Sequence, residues 1–163
     1  MEKLSKGYEV YNFKMIKTHQ CCNEFSVLNK NFICIVKWAV EKSIPIFIHL
    51  RSKEEVRNFI DIINEFEEAV FIVAHMIGFN EIAARSKSGN VYFDLSAPQL
   101  YSLELLESAI NNLGSSKFIM GSDTPYGKDN IKINIERLKK LRLSNEELED
   151  ILSRNILKIL HLI

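Results

Sequence analysis

The sequence has no His-x-His pair, no Cys-x-x-Cys pair and no glycine-rich phosphate loop. Its 3 cysteines, Cys21, Cys22 and Cys34, are odd in number, which argues against a zinc ribbon or a disulfide framework and for reduced thiols. Cys21 and Cys22 read as core or loop residues, since free cysteine packs as a small hydrophobe. Gly7 and Gly78 are isolated, so neither a dinucleotide fingerprint nor a Walker-type string is present. No apolar run approaches the roughly 20 residues that span a bilayer. The start, Met1 to Lys6, lacks the apolar core of a secretory signal, so a cytoplasmic protein without a membrane partner is expected. Lys plus Arg equal Asp plus Glu at 21 each, and the net charge is zero. Electrostatic capture of nucleic acid leaves a basic excess or stripe, so a nucleic-acid partner is not expected. With no Pro-rich linker, low-complexity segment or charge block, residues 1–163 read as a single domain with a real hydrophobic core.

What is present is alternation. Five apolar runs read as strands: Val10–Lys17, Ile44–Ile48, Ala69–Ala74, Asn90–Leu95 and Lys117–Gly121. The second, third and fifth are almost continuously apolar, as strands buried on both faces of a parallel sheet are. Between them lie helix-period stretches. Phe32–Glu41 precedes the second strand; Lys53–Phe66 spaces Val56, Phe59, Ile60 and Ile63 along one face; Ser102–Leu113 ends at Gly114. Ser52 with Glu55, and Ser144 with Glu147, are capping boxes, the second opening a closing helix over Glu146–Leu160. The order implies an α/β fold of parallel (β/α) units. Two architectures accommodate it: a complete doubly wound domain, or about five of the eight units of a TIM-type barrel.

The polar residues fall at one end of these strands. His19, His49, His75 and Asp123 each close an apolar run. In a barrel or an open parallel sheet, that end is where ligands and chemistry sit. Imidazole nitrogen and carboxylate oxygen are ligands of open catalytic zinc sites. A metal there supplies hydroxide near neutral pH, and a neighbouring carboxylate takes the proton as general base. Taken singly, a histidine after a strand is a hydrogen-bonded boundary residue; its repetition at His49, His75 and Asp123 argues for a shared site. His161, in the closing helix, reads as structural. Asp94, followed by Ser96, lies within its strand and either bonds a turn, the plainer reading, or lines the site. Arg51 suits an anionic ligand, although an ion pair with Glu54 or Glu55 is the plainer reading.

These strings together resemble the amidohydrolase superfamily, in its amidohydrolase-related (amidohydrolase 2) branch. The matching pieces are Lys17-Thr18-His19, Ile44 to His49, Ala74-His75-Met76-Ile77-Gly78, Asn90 to Ser96, Gly121-Ser122-Asp123-Thr124-Pro125 and the ending Ile151 to Leu160. The resemblance covers nearly the whole chain and implies strands four to eight of a distorted (β/α)₈ barrel holding one or two divalent metals, commonly zinc. It implies metal ligands at His49, His75 and Asp123, with Asp123 and His75 catalytic, and it leaves Lys17, His19 and Arg51 as candidate pocket residues. The branch's strand-one His-x-His pair has no counterpart, so strands one to three read as absent. A partial barrel of that kind exposes strand edges, which self-association or a complementary N-terminal chain would cover.

The expected function is metal-dependent hydrolysis of a C–N or C–O bond in a small molecule. The alternatives are a non-catalytic barrel remnant or partial chain, and a non-oxidative decarboxylase of the same branch.

Overall fold

The computed structural model describes residues 1–163. Five strands are present: β1 (Ile16–His19), β2 (Ile46–His49), β3 (Phe71–Val73), β4 (Val91–Asp94) and β5 (Phe118–Ile119). They are hydrogen-bonded in the order β1-β2-β3-β4-β5, with β1 parallel to β2 and β4 parallel to β5. A doubly wound domain reverses its strand order at a switch point. Here each strand neighbours the next in sequence, which is the order of consecutive barrel units, so the fold is a partial TIM-type barrel. The chain divides into two compact units: Met1–Ile72 with Gly78–Val91, and Val73–Ile77 with Tyr92–Ile163.

In the first unit, the helices are α1 (Glu2–Tyr11), α2 (Gln20–Asn23), α3 (Lys30–Glu41), α4 (Lys53–Glu65) and α5 (Phe79–Arg85). The first expected strand is corrected by α1. Val10 and Tyr11 close this helix at 62% and 79% exposure, Asn12 turns the chain in the left-handed region, and β1 starts only at Ile16. Tertiary contact explains the change: Tyr8 meets the Trp38 ring edge-on at 5.6 Å and Ser5 accepts from the Trp38 indole at 3.3 Å. An aromatic edge-to-face pair with a satisfied N–H outweighs the weak strand preference of a run interrupted by Asn12 and Lys14. Beneath the strands, α4 buries Val56, Phe59, Ile60, Ile62 and Ile63, and Phe59 packs edge-on against Phe71 at 4.9 Å. The fully buried Ile46 and Ile48 alternate with half-buried Phe47 and His49, so β2 sends its aliphatic side chains to one face and its two rings to the other.

In the second unit, α6 (Leu103–Leu113), α7 (Asn130–Leu138), α8 (Asn145–Glu149) and α9 (Asn155–Ile159) surround β4 and the two-residue β5. The expected single closing helix runs through α8, a π-helical turn at Asp150–Arg154, and α9. Ser144 and Glu147 form the full reciprocal capping box. This closing segment also meets the outer edge of β5. Met120 N donates to Ile151 O at 2.9 Å, and the Asn155 amide donates to Phe118 O at 2.8 Å and Ser115 O at 2.9 Å. The exposed edge expected of a partial barrel is thus covered at β5 by the chain's own helix, because an unpaired strand edge in an apolar setting leaves costly unsatisfied groups.

One glycine is obligatory for the first unit. Gly78 sits at φ +70°, and a Cβ there would lie 2.6 Å from Val56 Cγ1. We expect Gly78→Ala to lower unfolding free energy by roughly 2–4 kcal/mol, from left-handed strain plus overpacking. Urea denaturation of the variant beside the native chain measures this.

Candidate metal centre

The second unit gathers the strand-end residues His75 and Asp123 with two further polar residues, Asp94 and Ser96. His75 follows β3 and is 7% exposed; Asp94 ends β4 at 3%, and Ser96 lies two residues on at 4%. Asp94 Oδ2 accepts from the His75 backbone N–H at 3.1 Å and from the Ser96 hydroxyl at 2.5 Å, while Asp94 Oδ1 accepts from Ser96 N at 3.2 Å. The His75 ring presents Nδ1 to Ser96 Oγ at 2.9 Å and to Asp94 Oδ2 at 3.3 Å. Because the serine proton goes to Asp94, Ser96 Oγ is left to accept. The pattern therefore places a ring proton on Nδ1. Nε2 in turn lies 3.8 Å from Asp123 Oδ1. That is too long for a hydrogen bond, and it sets the second ring nitrogen opposite a carboxylate. A histidine with one ring nitrogen held by a carboxylate and a second carboxylate near the other is a donor set of the kind that divalent metals take.

Backbone strain and close approach build this cluster. His75, Met76 and Asp123 adopt positive φ of 57°, 57° and 52°. Such conformations cost on the order of 1–3 kcal/mol each for residues with a Cβ and persist where surrounding contacts over-determine them. Gly121, two residues before Asp123, is required by proximity: a Cβ there would lie 2.4 Å from Asp94 Oδ1 and 2.7 Å from Ser96 Cβ. A polar scaffold from α7 holds the loop after β4. The fully buried Asn134 donates to Leu95 O, Asn130 donates to Ser96 O at 2.7 Å, and Arg137 donates to Tyr101 O at 2.8 Å. The Tyr101 hydroxyl lies 2.8 Å from Leu95 O, and burial pushes this phenol well above its ordinary range.

The first unit forms a second cluster. His19 and His49 are in direct register on β1 and β2, and their rings stack at 4.1 Å with 7° between planes. Cys21 Sγ lies 3.9 Å from His49 Nδ1, and donor atoms of His19, Cys21 and His49 all lie within 4.8 Å of one another. One turn of chain away, the buried Gln20 and Glu55 tie the two strand ends together. Gln20 donates to Glu55 Oε2 at 2.7 Å and to Phe25 O at 2.9 Å, and it accepts from Arg51 N at 3.1 Å. Val27 N donates to the same Glu55 oxygen at 2.9 Å. Burial pushes the Glu55 carboxyl up, but the donors from Val27, Gln20 and Ser26 and the Arg51 charge together outweigh it and hold the carboxyl below its ordinary value of 4.5. Glu55, expected to reach back to its own helix cap, is drawn inward by these donors; Ser52 alone still caps α4.

Of the sequence-derived candidates, the structure brings His75 to Asp123 and His49 to His19. Arg51 faces Glu55 at 4.0 Å, the ion-pair reading. Lys17 places its ammonium 4.9 Å from the Phe47 ring centroid and lines a cavity of 340 Å³ with Thr18, Phe25 and Phe32. Asp94 was expected to bond a turn or line the site; it bonds the Ser96 turn and also orients His75. Cys21 was expected in a core or loop; it is exposed and lies beside two imidazoles. The signal missed was its spacing, two residues beyond His19.

The family model described as TatD related DNase matches residues 16–161. The chain belongs to this family. Among solved structures it is similar to a probable 2-pyrone-4,6-dicarboxylic acid hydrolase from Acinetobacter baumannii, with a TM-score of 0.76, 11% identity, and 99% of this chain covering 69% of that one. A 2,6-dihydroxybenzoate decarboxylase gives a TM-score of 0.75 at 11% identity over 99% of this chain and 66% of that one. An amidohydrolase 2 from Bifidobacterium longum subsp. infantis gives 0.67 at 16% identity over 83% and 57%. The chain spans from 47% to 69% of the length of such structures. No curated protein matches. At 11–16% identity, the likeness to these structures is one of fold. No helix is long and apolar enough to cross a membrane.

Two outcomes follow from the geometry. Gly121→Ala should displace Asp94 and lower unfolding free energy by about 1–3 kcal/mol, measured by urea denaturation. Because the folded Glu55 carboxyl is held below its ordinary value, its stabilisation is present above that value and is lost as pH falls through the lower folded one. Glu55→Gln should therefore be less stable than the native chain near neutrality and show a shallower loss of thermal midpoint on acidification below about pH 4.5.

Proposed function

We propose that the chain carries the catalytic end of a metal-dependent hydrolase that cleaves a C–N or C–O bond of a small molecule. The observation that carries this reading is the oriented His75, with Nδ1 committed to Ser96 and Asp94 and Nε2 lying 3.8 Å from Asp123 Oδ1. His75 and Asp123 are the proposed donors in the second unit, with zinc the proposed ion; His49 is a proposed zinc donor within the first unit. A divalent ion held by such donors would supply a Lewis acid and activate water near neutral pH. The protein's own part is separate. Asp94 and Ser96 hold the His75 ring in one orientation through Nδ1. Asp123, whose side chain is 22% exposed, is open enough to meet water, takes its proton and passes it to the leaving nitrogen or oxygen.

Zero net charge supports a small substrate over a polyanion in a cytoplasmic protein. The description of the matching family supports a second reading, cleavage of a DNA phosphodiester by the same groups. The decarboxylase among the similar folds supports carbon–carbon cleavage.

The experiment is a turnover screen of the purified chain, with and without added zinc, on amide, ester and lactone substrates, aromatic carboxylic acids and duplex DNA. Zinc-dependent hydrolysis of a small molecule is expected, with His75→Asn and Asp123→Asn each lowering kcat/KM by at least about 100-fold while the far-ultraviolet circular dichroism is retained. Cleavage of DNA alone would replace this reading with the second, and loss of a carboxylate with the third. The absence of any metal-dependent turnover would leave a non-catalytic barrel remnant.

A further inference from the structure

We propose that His19, Cys21 and His49 form a transition-metal site in which the Cys21 thiolate is a ligand. It shares His49 with the hydrolytic reading above and deepens it by naming a sulfur donor that reading does not use. Three observations carry it. The parallel register sets His19 directly opposite His49, so two imidazoles leave neighbouring strands at the same level and stack at 4.1 Å. The chain then turns into α2, which brings the exposed Cys21 back to 3.9 Å from His49 Nδ1, and the three donor atoms lie within 4.8 Å of one another. Tetrahedral zinc, with bonds of about 2.0–2.1 Å to nitrogen and 2.3 Å to sulfur, needs donor separations of roughly 3.3–3.6 Å, a closure that rotation of exposed or half-buried side chains provides. Finally, His19 Nδ1 is buried with no hydrogen-bond partner. A buried polar atom in that state costs about 1–3 kcal/mol and is a recognised mark of an ion or water site.

The scaffold around the cluster matches a binding site. Gln20, between His19 and Cys21, is fully buried and bonded to Glu55 and to the backbone of Arg51, two residues after His49. This bracing fixes the bases of all three donor side chains while their tips remain adjustable. Two imidazoles and one thiolate select a borderline-soft ion of the zinc and cobalt class over magnesium or calcium, and they leave a fourth position for water or substrate. On binding, the Cys21 S–H gives its proton to solvent and a metal–sulfur bond forms, with no change of oxidation state.

The test is cobalt(II) titration of the purified chain, read as near-ultraviolet thiolate-to-cobalt charge-transfer absorption, on the native chain and on Cys21→Ser, Cys22→Ser, His19→Asn and His75→Asn. The native chain should show the band at one equivalent. Cys21→Ser should abolish it and weaken zinc binding by about tenfold or more. Cys22→Ser and His75→Asn should keep it, and His19→Asn should weaken it. No band in the native chain, or an undiminished band in Cys21→Ser, overturns the proposal. The substrate screen separates the two readings: turnover without the band removes this site and leaves the hydrolytic reading, whereas the band without turnover does the reverse.

Discussion

The buried Asp94 carboxylate is the interaction on which the second unit's polar architecture depends. A carboxylate at 3% exposure is tolerated only when donors replace its lost water. Here three donors do so: the His75 backbone N–H, the Ser96 backbone N–H and the Ser96 hydroxyl. Each commits part of the surrounding chain. Bonding the His75 N–H holds this residue in a left-handed turn that its side chain disfavours, and bonding Ser96 sets the loop that α7 then clamps through Asn130 and Asn134. The glycine at position 121 exists in the same account, because the carboxylate occupies the space where a side chain would go. The orientation of His75 is thus a by-product of satisfying one buried charge.

The first unit solves a similar problem differently. Its buried carboxylate, Glu55, belongs to a helix start rather than a strand end, and its donors come from the segment after β1. The effect is to tie the exits of β1 and β2 together through Gln20, so that His19 and His49 are presented side by side. In both units the polar residues that do no chemistry fix the backbone from which the chemically capable side chains project. That division matches the general behaviour of metal-binding folds, where the groups behind the ligands set their orientation.

Much of this was legible in the sequence, for physical reasons that differ by residue. Strands buried on both faces announce themselves as unbroken apolar runs, so β2 and β3 were found within a few residues. Ser144 and Glu147 were legible as a capping box because that interaction closes within four residues. Glu55 carried the same local signature and was misassigned in its detail, since Gln20 and Val27, remote in sequence, offered better donors. The Val10–Lys17 run failed for the same reason: Tyr8 and Ser5 find Trp38, a partner that no local window contains. α2 and α7 were missed because they are short or polar-faced, and their helicity rests on tertiary contacts more than on apolar period.

The sequence by itself determined the alternation of parallel strands and helices, and with it the placing of His19, His49, His75 and Asp123 at one end of their strands. Both follow from periodicity, which is a property of neighbours along the chain. Only the tertiary structure decided the consecutive strand order, which separates a barrel segment from a doubly wound sheet. It alone made Asp94 and Ser96 the orienting partners of His75 and brought Cys21 to the two stacked imidazoles. Those outcomes depend on which backbone groups need a partner once the chain is closed on itself, and hydrogen-bond satisfaction across distant segments leaves no mark in a local pattern.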